Sequence, residues 1–187
     1  EAFDFDECFW SMPMEQMPSA MPYADQKYVY EHSGYLAYQS AMDGYNVTIF
    51  AYGQTGSGKT YSMLGVMPQD PGISPRLVDD LFKRELSPGC KMTVECMFFE
   101  IYNEKVRDLF NKSKKDYDNV KIRQHPTKGV FVDGLMRKET DNAKKTKDLI
   151  ERGTKERAMA ETKMNASSSR SHAVFQIQVT QKDAMKG

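Results

Sequence analysis

Long hydrophobic runs are what this chain of 187 residues most plainly lacks. No apolar stretch approaches the roughly 18 residues that a bilayer-spanning helix needs, and no charged-then-apolar leader opens the chain. Direct membrane insertion is therefore not expected. Cysteine is scarce as well. Cys8, Cys90 and Cys96 are an odd three with no metal-ligand spacing, which fits free thiols in a reducing compartment better than a disulfide framework. An excess of either charge is missing too. The 26 Lys and Arg balance 26 Asp and Glu, whereas a general nucleic-acid or membrane-surface binder is usually basic overall. No internal repeat is visible. The chain reads as cytosolic, and at 40% hydrophobic residues it holds enough apolar side chains for the core of one domain. It begins without Met at Glu1-Ala2-Phe3-Asp4-Phe5-Asp6, already alternating like a strand, so a piece of a longer polypeptide is expected.

Against these absences one run stands out. Gly53-Gln54-Thr55-Gly56-Ser57-Gly58-Lys59-Thr60 fits G-x-x-x-x-G-K-[ST], the phosphate-binding loop of nucleoside triphosphatases. The spacing carries a mechanism. Glycines let backbone N–H groups turn inward onto phosphate oxygens. Lys59 can reach the β- and γ-phosphates, and the Thr60 hydroxyl can meet Mg²⁺. Before the loop, Val47-Thr48-Ile49-Phe50-Ala51-Tyr52 has the length and composition of a strand. After it, Tyr61-Ser62-Met63-Leu64 reads as the start of a helix whose N-terminus would face the phosphates.

The rest of the chain divides by pattern. Residues 11–23 carry three prolines and four Met and read as a loop with gap-filling side chains. Residues 25–42 read as a helix with a weak point at Gly34, closed by Asp43-Gly44. Residues 67–75 form another loop, followed by a short amphipathic helix from Arg76 to Lys83. Residues 91–102 read as a strand, and residues 103–110 as a turn with a short helical piece. Residues 111–128 hold six cations against two anions. Residues 140–162 have helix-rich composition, and residues 173–180 alternate cleanly as a final strand.

A second chemical motif lies between that long helix and the last strand. Asn165-Ala166-Ser167-Ser168-Ser169-Arg170-Ser171-His172 packs hydroxyls, an amide, a guanidinium and an imidazole into eight residues. In a chain that also carries a phosphate loop, such a segment suits a γ-phosphate sensor that changes conformation when the phosphate leaves. At this point the sequence resembles the kinesin motor domains. Residues 49–60 look like the family's phosphate-loop signature, and residues 165–172 like its switch I signature N-x-x-S-S-R-S-H. Residues 99–109, residues 43–46 and residues 153–157 agree as well, so the resemblance runs from about Phe3 to Thr180.

What the resemblance implies can be placed residue by residue. The fold would be α/β, a central mixed β-sheet flanked by helices on both faces, with residues 1–187 forming the N-terminal part of a single motor domain. Gly53, Gln54, Thr55, Gly56, Ser57, Gly58, Lys59 and Thr60 would cradle ATP or ADP, and the Tyr61 ring would pack against adenine. Asn165, Ser168 and Ser169 would sense the γ-phosphate. Thr60 and Ser169 would serve Mg²⁺, and Arg170 would gate hydrolysis by pairing with a glutamate of switch II. That motif, D-x-x-G-S-E, does not occur among the 187 residues, so this segment by itself is expected to be a poor ATPase. His172 is expected to be structural. The basic segment, with Lys121-Ile122-Arg123-Gln124-His125-Pro126, resembles the microtubule-facing block of the third kinesin class. Arg123 and Lys128 are the preferred contacts for acidic tubulin, ahead of Lys112, Lys114 and Lys115. The implied protein is a microtubule-based motor ATPase of the cytoplasm and cytoskeleton, with cargo or a dimer partner bound through other regions. The alternative is a non-motile, nucleotide-dependent module that binds microtubules or regulates their ends. An unrelated phosphate-loop nucleotide kinase does not account for the tandem match.

Overall fold

Residues 25–42, which lack proline, form a continuous helical stretch, begun by the Asp25 carboxylate, which accepts the Tyr28 N–H at 2.7 Å. A computed structural model describes residues 3–16, 21–111, 120–127, 129–164 and 171–183. It is an α/β structure with two compact units, Glu1–Lys83 and Arg84–Gly187. In the first unit, α1 (Gln26–Val29) passes through a wide π turn at Tyr30–Gly34 into α2 (Tyr35–Met42). The weak point expected at Gly34 is therefore a change of helical pitch. It has a packing reason. A Cβ on Gly34 would lie 2.6 Å from the Tyr30 ring and 2.9 Å from the Ile73 side chain. Gly44 ends the stretch at φ +95°, with Gly44 N–H bonded to Ala41 O and Tyr45 N–H to Ser40 O, both at 3.1 Å. This is the left-handed cap that glycine supplies at least cost.

After the phosphate loop come α3 (Lys59–Leu64), a two-stranded hairpin of β1 (Gly65–Val66) and β2 (Asp70–Pro71), and α4 (Ile73–Lys83). The stretch read as a loop over 67–75 thus holds a strand and the first turn of α4, which Pro75 tolerates because early helical N–H groups need no partner. Ile73, Val78 and Leu81 form the buried stripe of α4. Each fully buried aliphatic side chain contributes about 1.5–3 kcal/mol. Tyr30 donates its hydroxyl to Asp80 Oδ2 at 2.7 Å across this packing. Burial first, and then that bond, hold the phenol well above its usual range.

Two expected strands of this unit do not form. Residues 47–52 carry no ladder, and Phe50 and Tyr52 are 80% and 95% exposed. Residues 3–6 alternate without pairing, with Phe3 and Phe5 exposed. The physical reason is common to both. β-propensity reports how a side chain fits a pleated surface, whereas a strand exists only when another strand's N–H and C=O groups meet its own. Among the described residues no strand does so here.

The second unit is organised by β3 (Cys90–Tyr102), 13 residues long. Along one edge it pairs with β8 (Ser171–Asp183), from Cys90↔Asp183 to Tyr102↔Ser171. Along the other it pairs with β4 (Lys105–Asp108) and β7 (Lys138–Thr140). Every ladder among the described residues is antiparallel, and the one parallel contact is the isolated Trp10–Tyr23 bridge of the first unit. The mixed sheet expected from the sequence therefore corresponds here to an antiparallel one. Residues 103–110 also differ from expectation. Asn103 and Glu104 take φ +48° and +61°, the left-handed pair of a two-residue hairpin turn, so the chain returns as β4 and not as a helical piece.

Helix α5 (Ala143–Met164) begins at Asn142, whose Oδ1 accepts the Lys145 N–H at 2.9 Å. It packs on β3 at Gly153, buries Ile150, and meets β7 where the buried Thr146 hydroxyl bonds Thr140 Oγ1 at 2.8 Å. A Cβ on Gly153 would collide with the Phe98 ring, so this mid-helix glycine exchanges helix propensity for close approach. Phe98 meets Phe110 and Phe175 edge-on at 6.3 and 5.4 Å. Cys96 is fully buried in the same core, and burial pushes its thiol up to about 11. Cys8, Cys90 and Cys96 are free thiols; Cys96 is buried and Cys90 half-buried, whereas Cys8 is exposed and not buried or half-buried as read from the sequence. The basic stretch contributes not only a loop but a hairpin, β5 (Lys121–His125) and β6 (Gly129–Asp133), exposed along nearly its whole length. Among the described residues no helix is long and apolar enough to cross a membrane.

Candidate phosphate-binding site

The phosphate-loop sequence folds as a glycine loop opening a helix, and each glycine has its own reason. Gly53 (φ +155°) lies where a Cβ would collide with Ser57 Oγ. Gly56 and Gly58 have open space around them, but their φ values of +83° and +88° are left-handed, a region in which side-chain-bearing residues are uncommon. The loop is drawn in by Ser57 N–H to Gln54 O at 3.2 Å, and Ser62 N–H to Gly58 O at 2.8 Å closes the first turn of α3.

Lys59 is the first residue of that helix. Its ammonium donates to Gly53 O at 2.8 Å and Gln54 O at 2.7 Å, so the cation lies over the loop mouth. Thr55, Ser57 and Thr60 are exposed around it. A half-buried cation beside a turn built from glycine N–H groups is suited to a polyanion. The donor set also fits Mg²⁺ in the way that ion is usually held, through one protein hydroxyl (Thr60) and the substrate's phosphates. Among the described residues no cluster of three or more His, Cys, Asp or Glu could hold a metal by itself. Beside the loop, Tyr61 is 49% exposed. Its hydroxyl donates to Asp70 Oδ2 at 2.6 Å, and Gln26 Nε2 donates to its carbonyl at 2.7 Å.

The remaining sequence-predicted residues lie elsewhere. Asn165, Ser168, Ser169 and Arg170 fall outside the described residues, as do Lys112, Lys114, Lys115 and Lys128. Arg123 is on β5, half-exposed and paired with Asp133 at 2.7 Å. His172 is in the β8 ladder opposite Ile101 and is exposed.

Sequence reasoning missed one cluster of charge. Glu100, only 4% exposed on β3, receives Arg107 of β4 on one carboxylate oxygen and Arg157 Nε of α5 on the other, the latter at 3.1 Å. Arg157 also donates to Ser171 Oγ at 3.0 Å, where β8 begins. The available signal was a carboxylate set in the apolar run Met97-Phe98-Phe99-Glu100-Ile101-Tyr102. A buried charge requires a counter-charge, but the run does not say which.

Comparison with known proteins returns one family. The profile described as the kinesin motor domain matches residues 1–187. Kinesin-like protein KIF1A of Rattus norvegicus is 44% identical over 186 residues, covering 97% of this chain and 11% of that protein. Human KIF13B is 45% identical over 183 residues, covering 96% and 10%. Kinesin-like protein unc-104 of Caenorhabditis elegans is 42% identical over 186 residues, covering 97% and 11%. Among solved structures, a fast kinesin superposes with a TM-score of 0.82 at 35% identity, over 88% of this chain and 47% of that one. A KIF14 dimer with AMP-PNP in complex with a microtubule gives 0.81 at 39%, over 97% and 50%. The chain thus spans about a tenth of these curated relatives and about half of these solved chains.

Proposed function

This chain belongs to the kinesin motor-domain family, among relatives of its third class, and from that premise we propose that it is the N-terminal part of one motor domain that binds and hydrolyses Mg-ATP in step with microtubule binding and movement. The observation that carries the reading is the glycine loop with Lys59 folded over its mouth. Residues 53–60 hold the triphosphate, with Lys59 on the β/γ oxygens and Thr60 toward the metal. Mg²⁺, when bound, supplies neutralisation of charge on the phosphate oxygens. Asn165, Ser168, Ser169 and Arg170 would read the γ-phosphate, and Ser169 with Thr60 would help to hold Mg²⁺. Hydrolysis is in-line attack by water, and the chain contributes positioning and electrostatics. The microtubule-bound KIF14 relative supports a filament partner, and a cytoplasmic, microtubule-associated location follows from that partner.

In the complete motor, Ser169→Ala and Arg170→Ala should each leave ATP affinity within about twofold while lowering microtubule-stimulated turnover by about 10²–10³. Unchanged turnover with normal binding would remove both residues from the catalytic assignment.

For the filament face, the exposed β5–β6 hairpin supports the assignment of Arg123, with Lys128 beside it in sequence. The exposed Arg123–Asp133 pair contributes at most about 1 kcal/mol to folding, so Arg123→Ala/Lys128→Ala should fold normally. Co-sedimentation should show microtubule affinity reduced about three- to tenfold, with a shallower dependence on salt. Equal affinity at every ionic strength would place the contact elsewhere.

A further inference from the structure

The contacts around Tyr61 are not needed to hold phosphate. Tyr61 stands one residue beyond the loop, its ring held at the hydroxyl and its backbone at the carbonyl, and the residue is half-exposed. Asp70 takes its hydroxyl and Gln26 its carbonyl, while 49% of the residue faces solvent. An aromatic ring fixed in orientation and open on its surface is a stacking platform.

Asp70 reaches this position by tight backbone geometry. Gly65 turns the chain back immediately after α3 at φ +71°, and a Cβ there would collide with the Asp70 carbonyl. Gly72 N–H bonds to Leu64 O at 3.0 Å, and a Cβ on Gly72 would lie 2.6 Å from Ser62 O. The hairpin of β1 and β2 therefore lies flat against the end of α3. From α4, Arg76 Nε donates to Pro71 O at 2.8 Å, and its guanidinium lies 3.9 Å from Asp70 Oδ1. One Asp70 oxygen is thus steadied by Arg76, and the other receives Tyr61.

We propose that Asp70 is a positioning residue for nucleotide-base recognition: it holds the Tyr61 ring as the platform on which the base of a nucleoside triphosphate stacks. This deepens, and rests on, the reading of residues 53–60 as the triphosphate cradle and of Tyr61 as the adenine contact that the family resemblance implies; the new element is Asp70. The platform accepts any base, since every base has a π face. Asp70 therefore raises affinity for ligands that have a base over those that do not. The hydrogen bond to Asp70 also holds the phenol above its usual range.

The test compares Mg-ATP with Mg-tripolyphosphate, the same kind of anionic chain without a base, by calorimetry on the complete motor. Asp70→Ala should weaken ATP binding about three- to tenfold, the scale of leaving one contacting side chain to be ordered on binding, and leave tripolyphosphate binding unchanged. Tyr61→Phe keeps the ring and loses the bond, so it should match Asp70→Ala without disturbing the hairpin. Asp70→Asn still accepts the hydroxyl and should restore ATP affinity to within about twofold. Full ATP affinity in Asp70→Ala and Tyr61→Phe would overturn the proposal, as would equal losses for both ligands. Failure of the parent protein to bind either ligand would instead overturn the cradle reading, and this inference with it.

Discussion

Nucleotide binding is expected to fall at least about a hundredfold when Lys59 is replaced by alanine, because charge-assisted hydrogen bonds contribute about 1.5–3 kcal/mol each and a triphosphate would receive more than one. The folded protein should hardly notice. Lys59 donates to two carbonyls, Gly53 O and Gln54 O, in a loop whose residues are exposed. Water can take over both acceptors, so the unfolding midpoint should stay within about 2 °C, as for a surface substitution costing about 0.5 kcal/mol or less. Binding lost with folding retained is the signature of a ligand-directed cation. Lys59→Arg should recover little, because a planar fork does not reproduce a compact ammonium on the same two carbonyls. Calorimetry with Mg-ATP, paired with thermal unfolding, reads both quantities. Affinity within threefold of the parent would show that the loop is not the cradle.

The second large effect lies on stability. Glu100→Ala should destabilise the motor domain by about 3–5 kcal/mol, the cost of breaking a buried ion pair by removing one partner. The carboxylate joins four elements. It sits on β3, meets Arg107 of β4 directly opposite in register, receives Arg157 of α5, and through Arg157 reaches Ser171 of β8. Its side chain is 5% exposed, with Arg107 and Arg157 at 14% and 22%. Its loss strands two guanidinium groups where water reaches them poorly. Replacing Glu100, Arg107 and Arg157 together by Met should cost less than Glu100→Ala alone, because the charges that need desolvating leave with their partner. Urea unfolding measures both variants. A loss below 1 kcal/mol in Glu100→Ala would mean that solvent already carries these charges.

The elements that could be read from the sequence are those whose physics is local. The stripe of α4 is buried, the alternation of β8 sets half-buried against exposed positions, and the middle of β3 is buried, so a repeat of 3.6 or 2 residues or an apolar run records each. The phosphate loop could be read because three glycines and a lysine at fixed spacing state both a backbone path and a charge. Residues 47–52 show the limit. Their composition suits a strand, but composition does not report whether an edge is there to receive it. Asn103-Glu104 shows another, since a pair of left-handed residues turns a short amphipathic segment into β4 instead of a helical turn.

By itself, then, the sequence determined the glycine loop that opens α3 and the apolar face of α4, because each is written within one loop or a few turns, and the family, because its motifs recur along nearly the whole chain. Tertiary structure decided which charges meet. Glu100 and Arg157 are 57 residues apart in the chain, Asp70 finds Tyr61 only because two glycines let the backbone fold flat, and Gly153 matters only because Phe98 lies beneath it. Such contacts depend on distance in space, and separation along a chain carries no energy until folding brings the groups together.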